Sequence, residues 1–380
     1  MSTFYFAQIK DYNREKLREN IDEIFRCWDV DENLGEGDTV LLKVNLLRGA
    51  APGDAVTTHP HLVEALAEKI YSLGAEPLLA DSPGGPYNST LLKRHYRKSG
   101  YEKLNAGHLQ LNYSTESFHQ KLPGGFRARG VNLCEFVDRA DFIINLPKLK
   151  THGLTLYTGA VKNMFGAVPG LEKAEYHLKF SRPEDFVHML CDIHQFVSPD
   201  LTIMDGITGM EGAGPGSGAP VNYQALLAAE DGTRLDLAVS YLIRGKSSEF
   251  WQDPLPAVLN ERGVKFDPEE YDYPGWLVRE LRGTELPEID NSLAIFSDGW
   301  PDIIQKSIDK LLRPRPAFSD DICTGCGICS QSCPPDVIKI ESGRARADLD
   351  DCIRCFCCQE MCPEGAVEIY RPLPARIVFG

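Results

Sequence analysis

A doubled cysteine run near the C-terminus constrains this chain more than any other feature. It reads Cys323-x2-Cys326-x2-Cys329-x3-Cys333-Pro334, then Cys352-x2-Cys355-x2-Cys358-x3-Cys362-Pro363. Three thiolates spaced in this way can curl round three iron corners of one [4Fe–4S] cubane. The fourth cysteine, turned away by its proline, ligates the other cluster. One cluster is therefore assigned to Cys323, Cys326, Cys329 and Cys362, and the other to Cys352, Cys355, Cys358 and Cys333. A disulfide framework suits a secreted chain, and zinc knuckles rarely repeat this run with a proline after each copy. Gly325 and Gly327 fit cysteinyl loops, which need positive φ and backbone N–H groups directed at sulfur. Cys357 is left over and is expected to pack near a cluster without binding it.

Residues 318–370 resemble the two-cluster bacterial ferredoxins, including an internal pseudo-repeat. Each Cys-Pro run is followed by a short apolar strand, at 337–340 and 366–369. The resemblance implies an electron-carrying domain with two [4Fe–4S] clusters and a redox partner protein. Residues 317–370 hold ten acidic and four basic side chains, so a large share of the net charge of −15 sits there. Such a surface suits a partner with a basic docking patch, and equally a plain solvated face.

The rest of the composition is that of a globular protein, 380 residues long, 43% hydrophobic and 25% charged. That length supports two or three domains. The chain opens with no basic region followed by an apolar run, and no segment approaches the roughly 18 consecutive apolar residues of a membrane span. A cytoplasmic protein is expected. The acidic balance lacks the basic face a phosphate backbone requires, which excludes nucleic-acid binding. Cys27, Cys134 and Cys191 stand alone among apolar residues and read as buried thiols.

Ahead of the cysteine region, strand and helix patterns alternate. Residues 3–9 read as a strand, 11–28 as an amphipathic helix, and 39–46 as a strand buried on both faces. A helix at 61–73 and a strand at 75–80 complete a βαβ unit. Further on come a strand at 140–146, helices at 157–165 and 184–197, and a strand at 201–204. A glycine-rich loop spans 206–220, followed by a strand at 225–229 and a helix at 233–244. Residues 246–300 show no clear pattern, 301–312 read as a helix, and Arg313-Pro314-Arg315-Pro316 reads as a stiff linker. The expected fold class is α/β. A mostly parallel sheet body over 1–312, with room for two lobes, precedes a linker at 313–317, a small α+β ferredoxin-like domain at 318–370 and a tail at 371–380.

Polar residues collect where strands end, which is where open α/β sheets place their ligands. Lys43 and Asn45 close one strand, Asp81 and Ser82 the next. Lys148, Lys150 and His152 follow the strand at 140–146, with Lys162 and Asn163 beyond, while Asp205 and Glu211 follow the strand at 201–204. Singly, each has a bland reading as a solvated lysine or a helix cap. Together, ammonium groups near one point repel unless an anion sits between them, so the set suits a carboxylate or phosphate ligand. His152 can serve as acid, base or ligand. Gly214-x-Gly216-x-x-Ala219 formally matches a dinucleotide fingerprint, but it neither follows a strand directly nor opens a helix, and no P-loop occurs.

These motifs resemble the domain of unknown function number 362. The residues concerned are Pro147 to Gly153, Thr158 to Gly166, Lys43-Val44-Asn45, Ala80 to Gly84, Met204-Asp205-Gly206 and Glu211-Gly212. The resemblance covers about residues 5–300, and members often carry a C-terminal ferredoxin module. His59 departs from it, standing where members often carry Asp. The resemblance implies an iron–sulfur oxidoreductase or an electron-transfer role and names no substrate. The expected function passes electrons through two clusters to an anionic substrate or second cofactor at the strand edge. Lys148, Lys150, Lys162 and Asn163 would hold the anion, and His152 or Asp205 would handle protons. Lys43, Asn45, Asp81 and Glu211 complete the expected ligand set. A non-catalytic electron-transfer partner and a redox-sensing or maturation factor stand as alternatives. The enzyme reading requires the ferredoxin-like domain to pack against the C-terminal edge of the sheet.

Overall fold

Apolar runs with no polar face can only be buried on both sides, and four such runs build the centre of a sheet. The computed structural model describes residues 3–104, 107–153, 155–180, 182–245, 250–287, 314–370 and 372. Along the chain the body's strands are β1 (Tyr5–Gln8), β2 (Thr39–Val44), β3 (Glu76–Ala80), β4 (Gln110–Leu111), β5 (Ser117–Lys121) and β6 (Gly130–Cys134). They continue with β7 (Phe142–Leu146), β8 (Lys148–His152), β9 (Leu156–Thr158), β10 (Leu201–Glu211), β11 (Ala219–Val221) and β12 (Ala225–Ala229). The main sheet runs β1-β12-β10-β7-β2-β3-β4, with β8 and β11 paired to β10, and β9 to β8. β10, β7, β2, β3 and β4 are parallel, while β12 and β1 close one side antiparallel. Strands β5 and β6 form a separate ribbon.

Alternation along β2 sends Leu41 into one core and Val40, Leu42 and Val44 into the other. Helices Arg14–Cys27 and Pro60–Ser72 cover the second face with Leu17, Ile21, Ile24, Leu62 and Leu66. Helices Pro183–Val197, Gly232–Arg244 and Pro254–Glu261 cover the first with Phe186, Leu190, Leu235, Val239 and Leu259. Fully burying each such side chain contributes about 1.5–3 kcal/mol, so the two cores dominate the stability of the body. Caps fix the helix starts. The Asn13 side chain accepts from the Lys16 N–H, and Asp231 accepts from Thr233 and Arg234.

Several segments differ from the sequence expectation. The 206–220 stretch is not all loop, because β10 continues through Gly206 and Gly209 to Glu211. Glycine is required there for packing, since a Cβ on Gly209 would strike the Tyr223 ring and the Leu149 carbonyl. Residues 157–165 are not one helix. They hold the end of β9, a single turn at Ala160–Asn163 and the start of a 3-10 turn at Met164–Ala167. The patternless 246–300 stretch contains helices Pro254–Glu261 and Gly275–Arg282, while the helix expected at 301–312 lies outside the described residues. Apart from the β5–β6 ribbon, the described strands of the body share one sheet.

The linker also shifts. Arg315–Phe318 is a strand, β13, paired antiparallel with β16 (Val367–Tyr370), so the ferredoxin-like region begins inside the expected linker. Between them lie the hairpin β14 (Ile338–Glu341) and β15 (Arg344–Ala347) and two short helices, Ile328–Gln331 and Cys357–Met361. Cys357–Met361 packs onto the body at the ends of its parallel strands, where Gln359 donates to the Ala213 carbonyl at 3.2 Å.

Candidate functional site

The eight cysteines of the two runs surround two separate cavities. Cys323, Cys326, Cys329 and Cys362 line one of about 340 Å³, and Cys333, Cys352, Cys355 and Cys358 line another of about 320 Å³. The quartets are those the spacing predicts, with the fourth cysteine of each run crossing to the other cavity. Among the described residues no three His, Cys, Asp or Glu converge closely enough to hold a single metal ion. The donor set and the two four-sulfur cradles fit [4Fe–4S] cubanes.

The two cysteinyl loops share one backbone and differ in side chains. Gly325 and Gly327 take φ of 70° and 77°, and the matching positions of the second loop, Arg354 and Phe356, both take 58°. A left-handed non-glycine residue costs roughly 1–2 kcal/mol, so the second loop holds strain that the first avoids. In exchange Phe356 and Ile353 wall the second cavity. The first is more open, with Cys326 exposed at its rim.

At the strand edge Lys43, Lys148 and Lys150 each have a buried partner of their own. Lys43 Nζ meets Asp81 Oδ1 at 2.9 Å and donates to the Val44 and Asn163 carbonyls. Asp81 Oδ2 accepts from the Leu46 N–H at 2.5 Å, and burial raises its carboxyl against the pull of Lys43 and Lys173. Lys148 Nζ lies 2.8 Å from both Asp205 Oδ2 and the Tyr12 hydroxyl. Asp205 also accepts from Tyr12 and from the His59 N–H, so this node is closed. Burial pushes the Lys148 ammonium down in spite of Asp205.

Lys150 is the exception in charge. Its Nζ donates to Asn45 Oδ1 at 2.7 Å and to the Val56 carbonyl at 2.8 Å, both neutral. Burial, then Lys162 and Lys148, drives it well below the usual lysine range. His152 is shifted by burial as well. Burial and then Lys162 push it to about 4, and its Nδ1 accepts from the Thr155 N–H at 3.3 Å. The partners therefore assign its proton to Nε2, which faces Glu360 Oε1 at 3.1 Å.

A cavity of about 670 Å³ opens between this edge and the Cys357–Met361 helix. Asn45, Asp81, Lys162 and Asn163 line it, as the strand-edge expectation requires. Asn163 is fixed there by Asn145, Asn45 and the Lys43 carbonyl. Lys43, Lys148, Lys150, His152 and Asp205 stand behind the wall rather than in it. Glu211 is apart, accepting from the Glu285 N–H at 2.9 Å at the far end of β10. Cys357 and Ser332 complete the lining, each adjacent in sequence to a cysteine of the second quartet. His59 stacks on Tyr12 with centroids 3.5 Å apart.

Sequence reasoning missed Lys173, His177, Tyr12 and Glu360. Lys173 Nζ donates to the Ser82 and Val168 carbonyls and the Ser82 hydroxyl, and burial lowers it to about 8. His177 stacks on Phe186 and borders the cavity, with burial pushing it to about 4. Glu360 carried no signal, since an acid between two cluster cysteines reads as solvated until the helix is docked.

An α/β body joined to a two-quartet cysteine region defines an iron–sulfur protein with a strand-edge cavity. Residues 315–363 match a 4Fe–4S dicluster domain. Residues 40–241 match the family described as Domain of unknown function (DUF362), and the chain belongs to that family. It is 32% identical over 262 residues to a thylakoid-associated protein of Synechocystis sp., covering 67% of this chain and 77% of that one. Two solved structures are more distant. The lactate racemase apoprotein of Thermoanaerobacterium thermosaccharolyticum gives a TM-score of 0.38 at 14% identity, over 60% of this chain and 56% of that one. A Thermotoga maritima protein gives 0.36 at 11% identity, over 65% of this chain and 59% of that one. No helix among the described residues is long and apolar enough to cross a membrane.

Proposed function

We propose that this protein is an iron–sulfur oxidoreductase that delivers electrons to an anionic substrate or second cofactor in the strand-edge cavity. One observation carries the reading. The Cys357–Met361 helix supplies Cys358 to the second cysteine quartet and, through Cys357, Glu360 and Met361, a wall of the cavity. A [4Fe–4S] cluster held by Cys333, Cys352, Cys355 and Cys358 supplies single electrons beside that wall. Lys162 binds the anion and Asn163 orients it. Lys148 and Asp205, closed on each other, fix β8 as positioning residues. His152 keeps its proton against Glu360. The open rim of the first quartet, where Cys326 is exposed beside Ile322 (46% exposed) and Ile340 (38% exposed), suits the docking of a redox partner protein.

The test is anaerobic purification, iron and sulfide counts, and mass spectrometry of the small molecules released on denaturation. About eight irons per chain are expected from two cubanes, together with an anionic organic molecule. Reduced protein should be reoxidised by that molecule, and Lys162→Met should abolish this while leaving chemical reduction of the clusters intact. Eight irons, no released molecule and electron exchange with partner proteins untouched by Lys162→Met would reduce the chain to an electron carrier.

A further inference from the structure

We propose that the ligand of the strand-edge cavity is an apolar-bodied carboxylate, held by the Lys162 ammonium. This deepens the functional reading above and rests on it for the choice of cavity. The partners of the charged groups in the wall show which cation is left for the anion. Asp81 is engaged by Lys43 at 2.9 Å. Lys173 is engaged by the Ser82 and Val168 carbonyls and the Ser82 hydroxyl. Among the described residues the Lys162 ammonium has no hydrogen-bond or ion-pair partner, and it borders the cavity.

The rest of the lining decides the body of the ligand. Leu47, Phe165, Leu171, Ala174 and Met361 present carbon to the cavity, as the walls of small-molecule sites do. An inorganic anion would leave that surface uncovered, while an apolar body removes it from water. A second donor is in place for the carboxylate. Ser332, 3% exposed, has a hydroxyl with no hydrogen-bond partner and lines the cavity beside Cys333 of the second quartet. An unsatisfied buried hydroxyl costs about 1–3 kcal/mol, which a bound carboxylate oxygen would offset.

Calorimetric titration of the oxidised, cluster-loaded protein with benzoate, benzyl alcohol and inorganic phosphate tests this while no electron moves. Benzoate should bind at least tenfold more tightly than either of the others. Lys162→Met, checked for unchanged iron content, should erase its advantage over benzyl alcohol. Ser332→Ala should weaken benzoate and leave benzyl alcohol unchanged. Phosphate binding as tightly as benzoate, no benzoate binding, or an advantage that survives Lys162→Met would overturn the assignment. Selective benzoate binding in a protein whose clusters pass no electrons to any cavity ligand would support it and remove the electron-delivery reading alone.

Discussion

Glu360 Oε1 lies 3.1 Å from His152 Nε2, and both side chains are buried where the cysteine-rich region meets the sheet edge. The contact sets the Nε2 edge of a buried imidazole against a carboxylate, an electrostatic pairing across the junction.

Removing the carboxylate should loosen this junction. Glu360→Leu is expected to cost about 1–3 kcal/mol, because it leaves a buried polar ring nitrogen facing carbon. Thermal unfolding of the full chain, followed with iron content, checks it. An unchanged midpoint would mean that docking does not depend on this pair.

Gly166 sits against the Lys43–Asp81 pair so closely that an added Cβ would overlap Asp81 Oδ1 and Lys43 Nζ. Gly166→Ala should force these buried charges away from each other, a loss of about 3–5 kcal/mol. Gly84→Ala meets only the thioether end of Met361 and should be milder, since that side chain can rotate. Urea midpoints of the two variants rank the effects.

Lys148→Met should destabilise the protein as well as impair it, because it leaves the buried Asp205 without its cation. The expected cost is again about 3–5 kcal/mol. The double variant Lys148→Met/Asp205→Leu should recover some of that loss in urea unfolding. A Lys148→Met protein of full stability would return that lysine to a ligand-binding role.

Burial pushes His59, His95, His152, His177 and His194 to about 4 in the folded chain, from an ordinary value of 6.5. Between those values the unfolded chain binds more protons at these sites, so their contribution to stability is lost as pH falls from about 6.5 to about 4. Asp236, raised to about 7 by burial, works the other way and stabilises the fold as pH falls from 7 towards 4. Five histidines against two raised acids, Asp236 and Asp81, leave the acid limb destabilising. Unfolding at pH 7 and pH 5.5 should show the decline, and a smaller decline in His177→Gln.

The first cysteinyl loop admits no side chain at Gly325, where a Cβ would strike the Gly343 carbonyl and φ is 70°. Gly325→Ala should lower iron towards about four per chain, since only one of two cubane sites is distorted. Iron assay after anaerobic purification decides it.

What the sequence revealed followed from local rules. The cysteine spacing named both quartets, and the apolar runs located β2, β3 and β7 together with the polar residues at their ends. What it hid depends on distant segments of the chain meeting. Tyr12 closes the Lys148–Asp205 node from 136 and 193 residues away. Lys43 and Lys148 look alike as lysines at strand ends, and only the fold shows that their charges are already matched while Lys162 stands open. The glycines of β10 read as loop because a turn and a tight strand crossing both require a missing Cβ.

One turn of helix, Cys357–Met361, ends beside cysteines of both quartets and also closes the strand-edge cavity. The cavity thus takes one of its walls from the metal-binding region. Any shift of that turn is felt by the cysteine cradles and the cavity alike, because the same short backbone borders them all.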